Sequence, residues 1–312
     1  MRSIKQLGGG YGLGFHWTTW NVTQEGLTIP FEERVNAFDV DKFVKQAKDL
    51  GAKHILLTNC HALQYSPCPN PYIDALIPNR TCKRDLIGEL AEALHKEDMT
   101  FIMYYHHGCD GPQDLVWWNA CGANDFYSNT FYKNVINIIS YFGERYGKLT
   151  DAYWFDAGYG YFRRGYVPWE EISNAARVGN PDRLITYNSG VHDWGSYTPF
   201  QDYYAGETNL KHLKTDLPHG EKTTTGLDWY AFVSLHKWLQ SPDSKDCAQW
   251  GIEQDCYELD FNWDKPDPKE MADFVKAYNK IGSTVTFNML CYADGSIHPV
   301  DKEAITNMRK YL

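Results

Sequence analysis

Two carboxylates stand out for where they fall in the chain. Asp156 closes the run Ala152-Tyr-Trp-Phe-Asp156, and Glu207 closes Asp202-Tyr-Tyr-Ala-Gly-Glu207. A carboxylate ending an apolar strand is an expensive placement unless it is paired, accepts backbone N–H bonds or does chemistry. Two of them are the minimum set for glycoside hydrolysis, in which one attacks or orients water and the other protonates the leaving oxygen. Asp202, Asp228, Glu221 and Glu253 are rivals for the acid role, because all four lie in late segments that could fold over the same end. Other runs end in His16, Thr58 with His61, Tyr105 with His106, Asn188 and Asn288. Such a ring can donate and accept hydrogen bonds at many angles, as binding of sugar hydroxyls requires.

Short apolar runs alternating with amphipathic stretches must carry these groups, and that alternation is the mark of repeated β/α units. Strands are expected at 12–17, 54–58, 100–105, 152–156, 184–188, 202–207 and 283–289. Helices are expected at 38–50, 84–95, 130–146, 169–178, 271–281 and 300–312, each with apolar residues at helical spacing. Residues 227–239 hold the material of a seventh unit, followed by a Trp- and Asp-rich insertion to Pro268 that matches no element. No Gly-x-Gly-x-x-Gly turn opens a helix, which favours a closed (β/α)8 barrel over an open nucleotide-binding sheet. The whole chain, 1–312, reads as one domain, irregular in its sixth and seventh units, with its site at the C-terminal ends of the strands.

Composition narrows the ligand. Thirty Lys and Arg against 40 Asp and Glu give a net charge of -10, the wrong field for nucleic acid or an anionic membrane. Eleven Trp and 22 Tyr suit ligands with apolar faces and polar rims, as sugars have. No run approaches the roughly 20 apolar residues of a membrane span. Of the eight cysteines, six fall in close pairs that suggest local disulfides: Cys68 with Cys82, Cys109 with Cys121, and Cys247 with Cys256. No zinc-like spacing is present, so neither metal nor cofactor is expected. The glycosylation sequons at Asn21 and Asn79 fit a secreted glycoprotein whose signal peptide has been removed.

At these same strand ends the sequence resembles glycoside hydrolase family 29, the α-L-fucosidases, through nearly its whole length. Gly14-Phe-His-Trp17 resembles the family's first-strand His-Trp motif, and Phe38 to Thr58 resembles its FDAxxW…AGAKY-LT stretch. Tyr104-Tyr105 sits where the family has Tyr-Tyr-Ser, Trp154-Phe-Asp156 where it has Trp-Phe-Asp, and Pro181 to Asn188 resembles the strand ending in Asn-x-Arg. Gly282 to Ile297 resembles the closing GG-LLN-GP-ADG-I segment.

The resemblance implies a retaining double displacement with Asp156 as nucleophile, and Asp202 to Glu207, similar to the family's Gly-Asp-Tyr-x-x-Pro-Glu, makes Glu207 the acid/base. It implies sugar contacts at His16, Trp17, His61, Tyr105 and Asn188, with His106 filling a gap, and an oligosaccharide or glycoconjugate as substrate. The chain departs from the pattern in four respects. Lys-His-His-Asp-Gly-Phe becomes Cys60-His61-Ala62-Leu63-Gln64-Tyr65, Asn-x-Arg becomes Asn188-Ser189-Gly190, and neither the Glu-Trp of the first long loop nor the C-terminal β-sandwich has a counterpart. Fucose, another α-linked sugar, and a catalytically silent sugar-binding barrel all fit these departures.

Overall fold

The computed structural model describes residues 2–111, 113–161, 166–191, 195–236, 239–240, 246–247, 250–252 and 267–312. Eight parallel strands form one curled sheet: β1 Tyr11–Phe15, β2 His54–Cys60, β3 Thr100–His106, β4 Ala152–Asp156, β5 Leu184–Tyr187, β6 Glu207–Asn209, β7 Ala231–Ser234 and β8 Val285–Met289. Their spatial order is β5-β4-β3-β2-β1-β8-β7-β6. The seam between β5 and β6 carries no ladder, but the Asp202 N–H donates to the Ile185 carbonyl (2.9 Å) and the Thr186 hydroxyl to the Tyr203 carbonyl (2.7 Å). The result is a (β/α)8 barrel.

Helices α1 Val40–Asp49, α2 Leu86–Lys96, α3 Thr130–Tyr146, α4 Trp169–Ala176, α5 Pro268–Lys280 and α6 Pro299–Arg309 form the outer layer. Their starts are set by side chains that satisfy orphan N–H groups. Asp39 accepts from Lys42 N, Asp85 from Gly88 N, and Asp267 from Lys269 N and Glu270 N. Each helix buries one stripe, such as Phe43, Val44 and Ala47 on α1. Between β5 and β6, and between β6 and β7, the described residues hold no α-helix, only a 3₁₀ turn at Leu210–His212. The sixth strand is also displaced from the expected 202–207: the ladder runs over Glu207–Asn209, preceded by a single bridge between Tyr203 and Asp228.

The period of two along each strand separates an inner from an outer core. Leu56, Ile102, Tyr104, Ala152, Trp154, Leu184, Tyr203, Ala205, Tyr230 and Phe232 pack together inside the barrel, plugged at one end by Ile4 and Leu7. Leu13, Phe15, Leu57, Met103, Tyr105, Phe155 and Tyr187 point outward into the layer shared with the helices. On β1 the inner positions are Gly12 and Gly14. A Cβ on Gly12 would lie 2.1 Å from the His54 ring, and one on Gly14 would lie 2.6 Å from Phe232, so these glycines make room for the interior.

The expected disulfides are corrected. Among the described residues no S–S bond joins Cys68 to Cys82 or Cys109 to Cys121. Cys68 Sγ instead lies 3.2 Å from Ser66 Oγ and 3.5 Å from Asn59 Oδ1, inside the fold. The pair Cys247 and Cys256 lies outside the described residues. The Asn21 side chain is fully buried, accepting from Thr18 N (2.8 Å) and donating to the Cys291 carbonyl (2.9 Å), a placement that leaves no room for a glycan in the folded chain. Asn79 is exposed.

Gly12→Ala should therefore cost about 1–3 kcal/mol through overpacking, read as a lower denaturant midpoint at constant slope. The cost should shrink in a His54→Ala background, where the ring has gone. An equal cost in both backgrounds would mean that the ring is not what this glycine accommodates.

Candidate functional site

Four inward residues build the site: Asp156 at the end of β4, His16 and Asn188 one residue past β1 and β5, and Glu207 at the start of the short β6. Asp156 ends β4. Its Oδ1 accepts from Ala157 N (2.7 Å) and from Asn188 Nδ2 (2.8 Å), while its Oδ2 accepts from the Tyr104 hydroxyl. Ala157 takes a left-handed conformation (φ +54°), uncommon for a residue with a Cβ. It is held there by His107 Nε2, 3.0 Å from its carbonyl oxygen. The turn aims its N–H back at the Asp156 carboxylate.

Glu207 arrives from β6 over Gly206, whose φ is +64° and whose Cβ, if it had one, would lie 2.0 Å from the Tyr230 carbonyl oxygen. Only glycine fits there. Glu207 Oε2 accepts from Asn188 Nδ2 at 2.6 Å. One amide group therefore bonds both carboxylates. Their two bonded oxygens are no farther apart than those bonds laid end to end, about 5.4 Å.

The environment drives the two acids apart. Burial and the charge of Asp156 push Glu207 up to about 8, against a smaller opposing effect of the Asn188 bond. Burial would also raise Asp156, but His106, the Tyr104 hydroxyl, the Asn188 amide and His61 together hold it below the usual carboxylate range. Near neutral pH the site thus combines an ionised Asp156 with a largely protonated Glu207.

Histidines line the side facing β1 to β3. His16 Nδ1 lies 2.8 Å from Asn288 Oδ1, and burial lowers the ring to about 4, so it is a neutral imidazole at physiological pH. His61 stacks on Tyr104 (5.7 Å between centroids) and His106 (5.3 Å), and burial holds it well below the ordinary histidine value. His106 accepts from Gly108 N at Nδ1 (2.9 Å), which leaves its ring proton on Nε2, 3.6 Å from Asp110 Oδ1. Burial lowers this ring, but Asp110 and Asp156 outweigh it and raise it overall. A second proton would still cost the Gly108 bond.

Two expected contacts are corrected by strand parity. Tyr105 points out of the barrel against Phe142 and Phe155; its neighbour Tyr104 is the one that meets Asp156. Trp17 likewise turns outward, packing on Phe38 and donating to the Ala293 carbonyl (3.2 Å). The signal was available: if His16 and His106 face the mouth, residues one position away cannot, and Tyr104, two away, must.

The rivals for the acid role are elsewhere. Asp202 pairs with Arg2 (2.7 Å) and Arg177 (2.8 Å), and Asp228 with Lys222 and Ile4 N, all at the plugged end of the barrel. Glu221 is exposed, and Glu253 lies outside the described residues. Sequence reasoning missed Asp110 and Tyr159, whose hydroxyl lies 3.4 Å from Asp110 Oδ2, and also Trp250, 4.7 Å from the His16 ring. Among the described residues no cluster of His, Cys, Asp and Glu could hold a metal ion, and no helix is long and apolar enough to cross a membrane.

Comparison with known proteins gives this geometry a context. Nothing among curated proteins matches the sequence. Solved structures do match: the α-L-fucosidase AlfC from Lactobacillus casei in complex with α-L-fucose product has a TM-score of 0.63 at 19% identity, over 98% of this chain and 96% of that one. A GH29 α-L-fucosidase from Bacteroides thetaiotaomicron follows with 0.60 and 16%, over 99% and 72%. The endo-fucoidan hydrolase MfFcnA4 from glycoside hydrolase family 107 has 0.64 and 14%, but the chain spans only 52% of its length. At such identities these likenesses speak for the barrel. The family model for α-L-fucosidase matches residues 11–312, so the chain belongs to the α-L-fucosidase family of glycoside hydrolases.

Proposed function

We propose that the protein is a retaining exo-glycosidase acting on α-linked L-fucose or a closely related sugar, with Asp156 as nucleophile and Glu207 as acid/base. The observation that carries this reading is the pair of carboxylate oxygens bonded to one amide group, within about 5.4 Å of each other. Retaining enzymes hold their two carboxyl groups about 5–5.5 Å apart, whereas inverting enzymes leave about 6.5–9.5 Å for a water molecule.

In the first step Glu207 gives its proton to the glycosidic oxygen while Asp156 attacks the anomeric carbon, and the aglycone leaves as an alcohol. In the second, Glu207, now ionised, takes a proton from water, and the resulting hydroxide displaces Asp156 from the glycosyl ester. Each displacement inverts the anomeric centre, so the product keeps the α configuration. Glu207 suits the first role because burial and Asp156 keep it protonated; once Asp156 is esterified its charge is gone, and Glu207 becomes easier to ionise. Neutral His16 and His61 supply hydroxyl contacts.

A second reading, the same chemistry on a sugar other than fucose, rests on Gly190 and Ala62, which stand where the resembling family has an Arg and a second His. Each lost polar partner changes discrimination by about 1–3 kcal/mol. A silent sugar-binding barrel accounts less well for a carboxyl raised to about 8 beside one held low.

Hydrolysis of a panel of nitrophenyl α-glycosides tests the reading. Wild type should cleave the α-L-fucoside or a close homologue with the α anomer appearing first by proton NMR, and Asp156→Ala should lose at least about a thousandfold in kcat. A first-formed β anomer, or an active Asp156→Ala, would refute the scheme. The rate should fall as pH rises through about 8, where Glu207 loses its proton, and again in acid, as Asp156 gains one. A separate expectation concerns the pair itself: Asp156→Asn removes the charge that raises Glu207, so the labelled Glu207 carboxyl should titrate at lower pH by carbon-13 NMR. An unmoved titration would show that the two groups do not interact.

A further inference from the structure

We propose that Asn188 is a positioning residue that clamps the two carboxylates and fixes which oxygen of Glu207 carries the proton, and is not a sugar contact. The inference builds on the hydrolase reading for its consequence, but its geometry stands without it. Both hydrogens of the Asn188 amide are committed, one to Asp156 Oδ1 (2.8 Å) and one to Glu207 Oε2 (2.6 Å). Its Oδ1 accepts from Gly190 N at 3.1 Å, which sets the amide the right way round. Its backbone is equally tied: Asn188 N donates to the Phe155 carbonyl (2.7 Å), and its carbonyl accepts from Gly158 N (3.0 Å). The residue is 2% exposed, so little of it is left for a ligand to touch.

The proton assignment follows from the donor. Glu207 Oε2 receives an N–H, and the carbonyl oxygen of a neutral carboxyl is a better acceptor than its hydroxyl oxygen; the bond therefore favours the proton on Oε1, the oxygen that would face a leaving group. When Glu207 ionises, the same N–H stabilises the anion, and the shared amide keeps the separation from Asp156 unchanged through both steps. The other groups facing the pair are Tyr104 and His106 from β3, His61 after β2, His16 from β1 and Tyr159 after β4. Of these, Tyr104 bonds Asp156, and among the described residues none of the five hydrogen-bonds Glu207. Gly190 makes the dependence sharper, since the resembling family has an Arg at that place and this chain has no side chain there.

The test uses Asn188→Ala and Asn188→Ser, with wild type for reference and near-UV circular dichroism as the check on folding. The lost bond favoured both ionised carboxylates, so in Asn188→Ala both limbs of the kcat/KM pH profile should move to higher pH. The variant should lose about ten- to a hundredfold in kcat with KM changed less than threefold, or thereabouts. Asn188→Ser, with a single hydroxyl donor, should fall between the two. Carbon-13 titration of the labelled Glu207 and Asp156 carboxyls reads the same clamp without any substrate. If wild type cleaves no glycoside yet Asn188→Ala still raises both titrations, the clamp stands and the hydrolase reading fails. If KM rises while the pH limbs and carboxyl titrations stay where they were, Asn188 is a sugar contact and the proposal is overturned.

Discussion

Two carboxyl groups enclosed at the end of an apolar barrel cannot both be ionised cheaply, and the rest of the site is arranged around that constraint. Asp156 carries the charge, with three donors directed at it: the Ala157 N–H, the Asn188 amide and the Tyr104 hydroxyl. Among the described residues Glu207 has the Asn188 amide alone as a donor, and it responds by holding its proton. The asymmetry in donors becomes an asymmetry in protonation, which a nucleophile and a neighbouring acid both need.

The opposite end of the barrel shows the alternative solution to the same problem. Asp202 and Asp228 are also carboxylates in apolar surroundings, but each meets a cation, Arg2 with Arg177 in one case and Lys222 in the other. Those pairs close the bottom of the barrel and join the N-terminal segment to the late strands. At the mouth, no Lys or Arg side chain bonds Asp156 or Glu207 among the described residues; neutral N–H and O–H donors bond them, and the nearby His106 ring adds to the hold on Asp156. Carboxylates neutralised by cations serve architecture here, while those left to neutral donors stay free to exchange a proton or form a bond.

Much of this was legible in the sequence because barrel strands end where chemistry begins. Asp156, Asn188, Glu207 and His16 were each picked out as polar closures of apolar runs, and each does reach the mouth. Tyr105 and Trp17 were misread for a physical reason: a parallel strand inside a helix jacket is buried on both faces, so Thr100 to His106 shows no apolar–polar alternation to reveal which side is inward. Parity counted back from His106 restores the answer. The cysteine pairs failed differently, since short spacing permits a disulfide without requiring one, and thiols are among the groups most often buried in a core. The absence of α-helices around β6 among the described residues left no trace in composition; the segments 188–191, 195–206 and 213–230 run on turns and side-chain bonds, which have no periodicity to detect.

The departures from the family pattern are concentrated on the side of the site that would grip the sugar, not on the side that would break the bond. Ala62 and Gly190 remove a ring and a guanidinium, while His106 stands where the pattern has Ser, held between Gly108 N and Asp110. A guanidinium beside the carboxylates would favour both anions and pull Glu207 down toward the ordinary carboxylate range. Among the described residues Glu207 stays raised, and the Asn188 amide is the one group that bonds both acids. Loss of the cation and reliance on the amide are thus two aspects of one change. On the proposed reading, a neutral clamp would preserve the chemistry of the pair, and the pocket around it would be released to fit a different pattern of hydroxyl groups.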